Sequence, residues 1–321
     1  MSKAYDIVSE NRKQIVDEII AQMEKGELFW KKNWIEGSLP HNPLTGAVYK
    51  GGNRLRLIFL MDAYGYTDAR FVTYAQAKKA GWKVKPGSKG IFCEKWTYYK
   101  LEEIKDEQTG DVIKKIISYY QHPVVSYFYL YHASSIEGIP PEAAKPPVLN
   151  QDENELANML IRASPCIVRE GGMEGAFYNM SQDFIHVPRR DDFKSGQDFI
   201  TTTLHEMIHS TGHPTRLNRD MSGGFGSESY AKEELVAELG SVFAAADIGI
   251  PALGEHFENH AAHLQSWLKA LKEDPNELFN AASKAEGAAD FITERYKALL
   301  PAKMPEVEAQ IMAESTGKLK L

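Results

Sequence analysis

Cysteine is scarce in this sequence, and long apolar runs are absent from it. The two cysteines, Cys93 and Cys166, lie far apart among 321 residues, so they form neither a disulfide framework nor a cysteine-type zinc site. No stretch approaches the roughly 18 consecutive apolar residues of a membrane-spanning helix. The polar start MSKAYDIVSENRK lacks the apolar core of a secretory signal. These absences predict a cytoplasmic protein without membrane contact.

Basic residues are fewer than acidic residues in the whole sequence, but they are concentrated in one region. The net charge is −7, yet the first 100 residues carry 17 Lys and Arg against 10 Asp and Glu, a balance of +7. The same residues contain 15 of the 34 aromatic side chains, interleaved with the basic ones. Proteins that bind single-stranded nucleic acid use this combination, because cations contact phosphates and aromatic rings stack on unpaired bases. The alternative is a small domain whose core holds the aromatics and whose solvated face holds the lysines.

The elements predicted along the chain indicate two domains of α+β type. Residues 5–26 have apolar positions at helical spacing, and a short helix is predicted in TYAQAKKAGW. GIFCEKWTYYKLEEI and KKIISYYQHPVVSYFYLYHAS are predicted as strands joined through an acidic hairpin tip, EEIKDEQTGDV. The proline-rich stretch EGIPPEAAKPPVLNQDEN predicts a linker, which divides the chain into domains at 1–145 and 146–321.

The second domain contains TTTLHEMIHSTGHPTRL, in which His205, Glu206 and His209 have the H-E-x-x-H spacing. We expect a helix over 198–209, on which both histidines point from one face toward a common point. Such a pair binds zinc in peptidases, where the intervening glutamate takes a proton from water at the metal. A helix with two unrelated histidines is the alternative. His213 follows the glycine at which the helix should end, and we interpret it as a loop residue.

A catalytic zinc needs a third protein ligand, and a second predicted helix offers one. In ESYAKEELVAELGSVFAAADIG, Glu234 and Glu238 are four residues apart among apolar neighbours, and carboxylates at buried positions require a partner. We assign Glu234 as the third ligand and Glu238 as an acceptor that holds a ligand histidine by its other ring nitrogen. Surface salt bridges are the alternative for both glutamates. Zinc suits two histidines and a glutamate best, and manganese or cobalt are alternatives.

Several ordered motifs resemble the ArdC antirestriction family. They span roughly residues 5–295 and are FWKKNW, NPLTGAVYKGGNRLRL, ARFVTYAQAKKAGWKVKPGSKG, FIHVP, LHEMIHSTGHPTRL, EELVAELGS and ENHAAHLQSWLKAL. The resemblance implies an N-terminal domain with a small sheet that binds single-stranded DNA, and a C-terminal zincin-like metallopeptidase domain with the H-E-x-x-H helix. It also implies a bacterial mobile element whose protein protects incoming DNA from host restriction. FWKKNW is a departure, because relatives commonly have a proline before the first tryptophan.

The candidate DNA contacts come from the basic, aromatic region. With the resemblance taken into account they are Trp30, Lys31, Lys32, Trp34, Lys50, Asn53, Arg54, Arg70 and Trp82. The expected partners are single-stranded DNA and, for the peptidase site, a host restriction component or another protein substrate. Two other functions stay open. One is a DNA-binding shield whose metal site is structural or vestigial, and the other is a metallopeptidase unrelated to DNA.

Overall fold

The computed structural model describes residues 3–28, 39–105, 112–142, 152–224, 227–249 and 260–300. Helices in these ranges are α1 Lys3–Met23, α2 Gly51–Tyr64, α3 Tyr74–Lys79, α4 Glu153–Ala163, α5 Gly196–Thr211, α6 Glu228–Asp247, α7 His260–Glu273 and α8 Asn276–Leu299. Strands are β1 Phe71–Thr73, β2 Lys83–Val84, β3 Ile91–Lys105, β4 Val112–His132, β5 Ile136–Glu137, β6 Ile167–Glu170, β7 Phe177–Asn179 and β8 Phe184–Val187. The predicted α+β class is confirmed. Across the described helices, none combines the length and the apolar character that crossing a membrane requires.

The N-terminal part is built on a long antiparallel ribbon of β3 and β4. The two strands pair from Ile91 opposite Leu130 to Lys105 opposite Val112, and β1 adds to the other side of β4. A separate small sheet pairs β2 with β5. Both predicted strands of the ribbon are therefore confirmed. Most of the predicted hairpin tip, at 106–111, lies outside the described residues.

Two helices of the N-terminal part begin in different ways. Helix α3 starts with a capping box, because the Thr73 hydroxyl accepts the Gln76 N–H while the Gln76 side chain accepts the Thr73 N–H. Helix α2 has no such cap. Its first residue, Gly51, takes a φ of 57° and donates its N–H to Glu286 Oε2 at 2.9 Å. A carboxylate of α8 thus stabilises the positive end of α2 and ties the two helices together.

The C-terminal part places a small mixed sheet beside a bundle of helices. In this sheet β8 is central, with β6 parallel on one side and β7 antiparallel on the other. Helices α5 and α6 lie very close to each other, because a Cβ atom on Gly240 would stand only 2.8 Å from Ile208 Cγ2. Glycine at this position lets the two backbones approach. Side chains of both helices can therefore reach a common point.

One hydrophobic core joins the N-terminal helices to the C-terminal bundle. Apolar side chains of α1 and α2 are buried together with side chains of α4, α5, α6, α7 and α8. Ile19 of α1 and Phe59 of α2 are as deeply buried as Leu204 of α5 and Ala282 of α8. Smaller clusters lie under the N-terminal sheets. The domain boundary near residue 145 falls outside the described residues and stays a prediction.

Candidate metal centre and nucleic-acid surface

Helices α5 and α6 bring three donor side chains together. Helix α5 begins after Ser195, whose hydroxyl accepts the Asp198 N–H, and it covers the helix predicted from the H-E-x-x-H stretch. His209 Nε2 lies 3.1 Å from His205 Nε2 and 3.4 Å from Glu234 Oε1. His205 Nε2 lies 3.5 Å from Glu234 Oε2. The two histidines of α5 and the glutamate of α6 therefore face one point.

These three side chains have the donor set and the spacing that a metal ion requires. The ligand atoms of His205, His209 and Glu234 all lie within 4.8 Å of one another. Two imidazole nitrogens and a carboxylate oxygen are the protein ligands of many catalytic zinc sites, and the same set accepts manganese or cobalt. His213 is outside this cluster, with its ring Nδ1 2.8 Å from Thr215 Oγ1. The predicted ligands thus fit a divalent cation.

Burial and hydrogen bonding give the two central carboxylates different properties. Burial acts to raise the pKa of Glu234, but hydrogen bonds with His205 and His209 outweigh it and hold that pKa well below the usual range. For Glu206 burial dominates and raises the pKa. Glu234 is therefore anionic, as a metal ligand should be. Glu206 is a stronger base than an exposed glutamate and is placed beside the ligands.

A buried ion pair that the sequence analysis did not identify orients His209. Glu233 Oε1 lies 3.2 Å from His209 Nδ1, the ring nitrogen outside the ligand cluster. Arg219 donates to both oxygens of Glu233, at 2.6 and 2.9 Å, and to the Ile208 carbonyl at 2.8 Å. The acceptor on the other ring nitrogen of His209 is thus Glu233, and the assignment of Glu238 as an acceptor for a ligand histidine stays a prediction. Glu238 is 1% exposed and lines the same cavity.

The ligand cluster opens into a cavity of about 440 Å³, one wall of which is the edge strand β7. The Tyr178 N–H of this strand donates to the Glu206 carboxylate. The Tyr178 hydroxyl donates to Asp183 Oδ1 at 2.8 Å and accepts from Arg216 Nη2 at 3.0 Å. The polar Thr201 also lines the cavity, together with apolar and aromatic side chains: Phe177, Met180, Met221, Tyr230 and Trp267. The site therefore combines a polar centre, apolar walls and a strand edge with which an extended peptide can pair.

Comparison with known proteins gives matches for successive parts of the chain. Residues 9–126 match the N-terminal domain of the anti-restriction factor ArdC, and residues 155–284 match a zincin-like metallopeptidase. The metal-free crystal structure of the antirestriction protein ArdC from plasmid R388 has a TM-score of 0.69 and 31% identity, covering 90% of this chain and 99% of that one. Its Mn(II)-bound structure has a TM-score of 0.72 and 30% identity, with the same coverage. This chain belongs to the ArdC antirestriction family.

Relatives of this ArdC-family chain include both short and long proteins. Two Escherichia coli proteins named DNA primase TraC are 38% and 35% identical to it in alignments of 290 residues, each of which covers 87% of this chain. The chain spans 26% and 19% of the length of those two primases. An uncharacterised protein of Sinorhizobium fredii, y4eC, is 31% identical over 285 residues, and the chain spans 90% of it. The ArdC-like region therefore occurs nearly alone in some proteins and as one part of others.

Of the nine predicted DNA contacts in this ArdC-family protein, four lie outside the described residues. Two others pack or form hydrogen bonds within the N-terminal part of the fold. Outside the described residues are Trp30, Lys31, Lys32 and Trp34. Trp82 is half-buried and packs against the apolar cluster beneath β1. The side chain of Asn53 exchanges hydrogen bonds with the backbone of Glu94, at 2.8 and 3.0 Å. Trp82 and Asn53 thus have a role in holding the fold, and their contacts with DNA stay predictions.

Arg54 lies in the core of the ArdC fold and does not reach a surface. It is 0% exposed, and its guanidinium donates to Glu286 Oε1 at 3.1 Å and to the Asp247 carboxylate. Its Cζ is also 4.8 Å from the ring centroid of Phe243. Carboxylates of α6 and α8 therefore neutralise this charge inside the protein. We correct the assignment of Arg54 to DNA binding accordingly, because the side chain presents no surface to a phosphate.

Lys50 and Arg70 are less completely enclosed. The Lys50 side chain is 52% exposed and lies beside Asp290 and Glu286. Arg70 is 8% exposed and donates to Asp68 and to the Pro140 carbonyl, each at 2.7 Å. Lys50 therefore retains surface that a phosphate could approach. The Arg70 side chain is largely buried, and its donors are used in contacts with Asp68 and Pro140. DNA contacts by these two residues stay predictions.

Proposed function

We propose that this protein protects the incoming DNA of a bacterial mobile element from host restriction, by binding single-stranded DNA and through a metal-dependent peptidase site. The observation that supports the peptidase site is the convergence of His205, His209 and Glu234 beside Glu206 in one cavity. The DNA-binding part is supported by the match of residues 9–126 to the ArdC N-terminal domain and by their basic, aromatic composition. A host restriction component or another protein is the proposed peptide substrate.

The residues of the site have distinct roles in this proposal. A divalent cation at the three ligands would act as a Lewis acid, polarising a peptide carbonyl and lowering the pKa of water. Zinc is the proposed cation, with manganese, which the R388 ArdC crystal structure contains, and cobalt as alternatives. Glu206, which lies in the same cavity as the three ligands, takes a proton from the attacking water and delivers it to the leaving nitrogen. Strand β7 aligns the substrate backbone beside Glu206.

Replacing Glu234 with alanine should lower the affinity for Mn²⁺ by more than about 100-fold, because the loss of groups that only orient ligands already costs about 10- to 100-fold. Glu233→Gln, which changes the acceptor on His209, should fall within that smaller range. Isothermal titration calorimetry of the full chain with Mn²⁺ and Zn²⁺ measures both effects. The matched control is Glu228→Gln, at an exposed position on the same helix. Equal affinities for Glu234→Ala and the control would exclude Glu234 as a ligand.

The full chain should bind a single-stranded oligonucleotide in preference to a duplex of the same sequence. Its affinity should fall steeply between about 50 and 200 mM salt, because phosphate contacts release counterions. Fluorescence anisotropy across a salt series measures this dependence. The full chain is the appropriate protein, since α1 and α2 share their core with the C-terminal helices. An affinity that does not change with salt would contradict phosphate binding, and absence of binding would remove DNA from the proposed function.

A further inference from the structure

One stretch of the N-terminal part carries positive charge and no acidic residue. Residues 69–93, which include β1, α3, β2 and the start of β3, contain six basic side chains and no aspartate or glutamate: Arg70, Lys78, Lys79, Lys83, Lys85 and Lys89. Lys83 is opposite Glu137 in the ladder of β2 and β5, and Lys85 donates to the Ser134 carbonyl at 2.8 Å. Lys78, Lys79 and Lys89 are exposed and form no ion pair with any residue that the structure describes. These three ammonium groups are therefore available to an anionic ligand.

Exposed tyrosines lie on one face of the sheet next to this stretch. Tyr127, Tyr129 and Tyr131 alternate along β4, so their side chains leave the sheet on the same side. Tyr127 is 39% and Tyr129 47% exposed, and their ring centroids are 6.1 Å apart. Tyr74, the first residue of α3, is 59% exposed and its ring centroid is 6.5 Å from that of Tyr131. The four tyrosines therefore form a row that runs along β4 to the start of α3.

Packing supports the rings of this tyrosine row and keeps the space beside them open. Phe92, opposite Tyr129, stacks on Tyr127 with 5.3 Å between centroids and meets Tyr129 edge-on at 5.9 Å. A Cβ atom on Gly90 would stand only 2.9 Å from Tyr129 Cβ, so glycine leaves room for this tyrosine. Glu94, opposite Tyr127, has both carboxylate oxygens bound by Arg12, at 2.5 and 2.9 Å. The neighbouring acid is thus neutralised.

Two of the unpaired lysines lie beside the tyrosine row. Lys78 is four residues after Tyr74 on α3, so the two side chains share a face of the helix. Lys89 directly precedes Gly90, the residue that lies against Tyr129. Both long side chains can therefore extend toward a ligand that is bound on the tyrosine row.

We propose that Tyr74, Tyr127 and Tyr129 stack on bases of single-stranded DNA and that Lys78 and Lys89 bind its phosphates. This inference rests on the proposed binding of single-stranded DNA and assigns a surface to it. Aromatic side chains on an exposed sheet face stack two or three unpaired bases in other nucleic-acid-binding folds. Cations beside such rings follow the phosphates of the strand. A duplex does not fit this surface, because its bases are already stacked on each other.

The test compares variants of the full chain by fluorescence anisotropy with fluorescein-labelled oligo-dT across a salt series. Tyr74→Leu, Tyr127→Leu and Tyr129→Leu should each weaken binding by about fivefold or more, as expected for the loss of one base-stacking ring. Lys78→Gln and Lys89→Gln should each reduce the slope of log affinity against log salt by about 0.7, the value for one phosphate contact on a single strand. Melting temperatures should stay close to that of the wild type, since the replaced side chains are exposed.

Two control variants separate this surface from general effects of charge and ring loss. Lys95→Gln removes an exposed lysine from the opposite face of the ribbon, because Lys95 alternates with Glu94 along β3. Tyr64→Leu removes a ring that is 64% exposed at the end of α2. Both should bind oligo-dT like the wild type. If the wild type binds and the tyrosine-row and lysine variants match these controls, the assigned surface is wrong while DNA binding itself stands. If the wild type does not bind, the proposed DNA binding is overturned together with the surface.

Discussion

Replacing Glu206 with glutamine should reduce metal-dependent peptide hydrolysis by about 100- to 10,000-fold, the usual contribution of a general base. Metal affinity should not change, since the proposed ligands are His205, His209 and Glu234. The fold should also be retained, because the amide oxygen of glutamine can accept the Tyr178 N–H that Glu206 accepts. A neutral side chain is moreover cheaper to bury than a carboxylate.

Casein, incubated with the full chain and Zn²⁺ or Mn²⁺, is a suitable first substrate for this comparison. Glu228→Gln makes the same chemical change at an exposed position of α6 and should leave hydrolysis intact. Hydrolysis by Glu206→Gln at the wild-type rate would show that another group is the base. The efficiency of plasmid transfer into a recipient with a restriction system then separates proteolysis from DNA binding. Protection that survives in Glu206→Gln would make the protein a DNA-binding shield, and protection that is lost would tie antirestriction to proteolysis.

Replacing Arg54 with methionine should destabilise the protein by about 3–5 kcal/mol, the cost of removing one partner from a buried ion pair. Methionine fills a similar volume, so the loss reports the charge more than a cavity. Asp247 and Glu286 would remain at their buried positions without the guanidinium that neutralises them. Glu286 also accepts the N–H of Gly51 at the start of α2, so the change should loosen the contact between α2 and α8.

Urea denaturation of the full chain, followed by circular dichroism, measures this effect. Lys272→Met is the matched control, because Lys272 and Glu24 form an ion pair whose side chains are 54% and 50% exposed. Exposed pairs contribute less than about 1 kcal/mol. A loss in Arg54→Met no larger than that of the control would show that water or other groups replace the guanidinium. Arg56→Met, two residues away, should show no such loss, since it leaves no carboxylate behind.

The convergence of the two histidines of the proposed metal centre could be predicted from the sequence because the pattern that encodes it is local. On a helix, residues four apart share a face, so His205 and His209 had to point the same way wherever the helix packed. The orientation of His209 by Glu233 could not be predicted in this way. It depends on the rotation of α6 against α5 and on Arg219, which reaches Glu233 from the loop between the two helices. Neither is visible in a spacing pattern.

The environments of the basic residues in the N-terminal region were harder to predict, for a related reason. Composition identified a basic, aromatic region, but it could not separate Arg54 from Arg56. Arg54 is neutralised by Asp247 and Glu286, which lie 193 and 232 positions further along the chain. Arg56 is beside aromatic rings of β3 and α8. Both arginines are buried, and only the packing of α2 against the bundle shows which of them is paired with carboxylates.

Because α1 and α2 bury their apolar faces against the C-terminal helices, separating the two halves of this chain would expose apolar surface on both. A recombination event near residue 145 would split one core and expose both of its faces. Exchange that carries both halves together would preserve that core. The TraC primases fit this expectation, since their similarity to this chain extends over 290 residues and includes both halves.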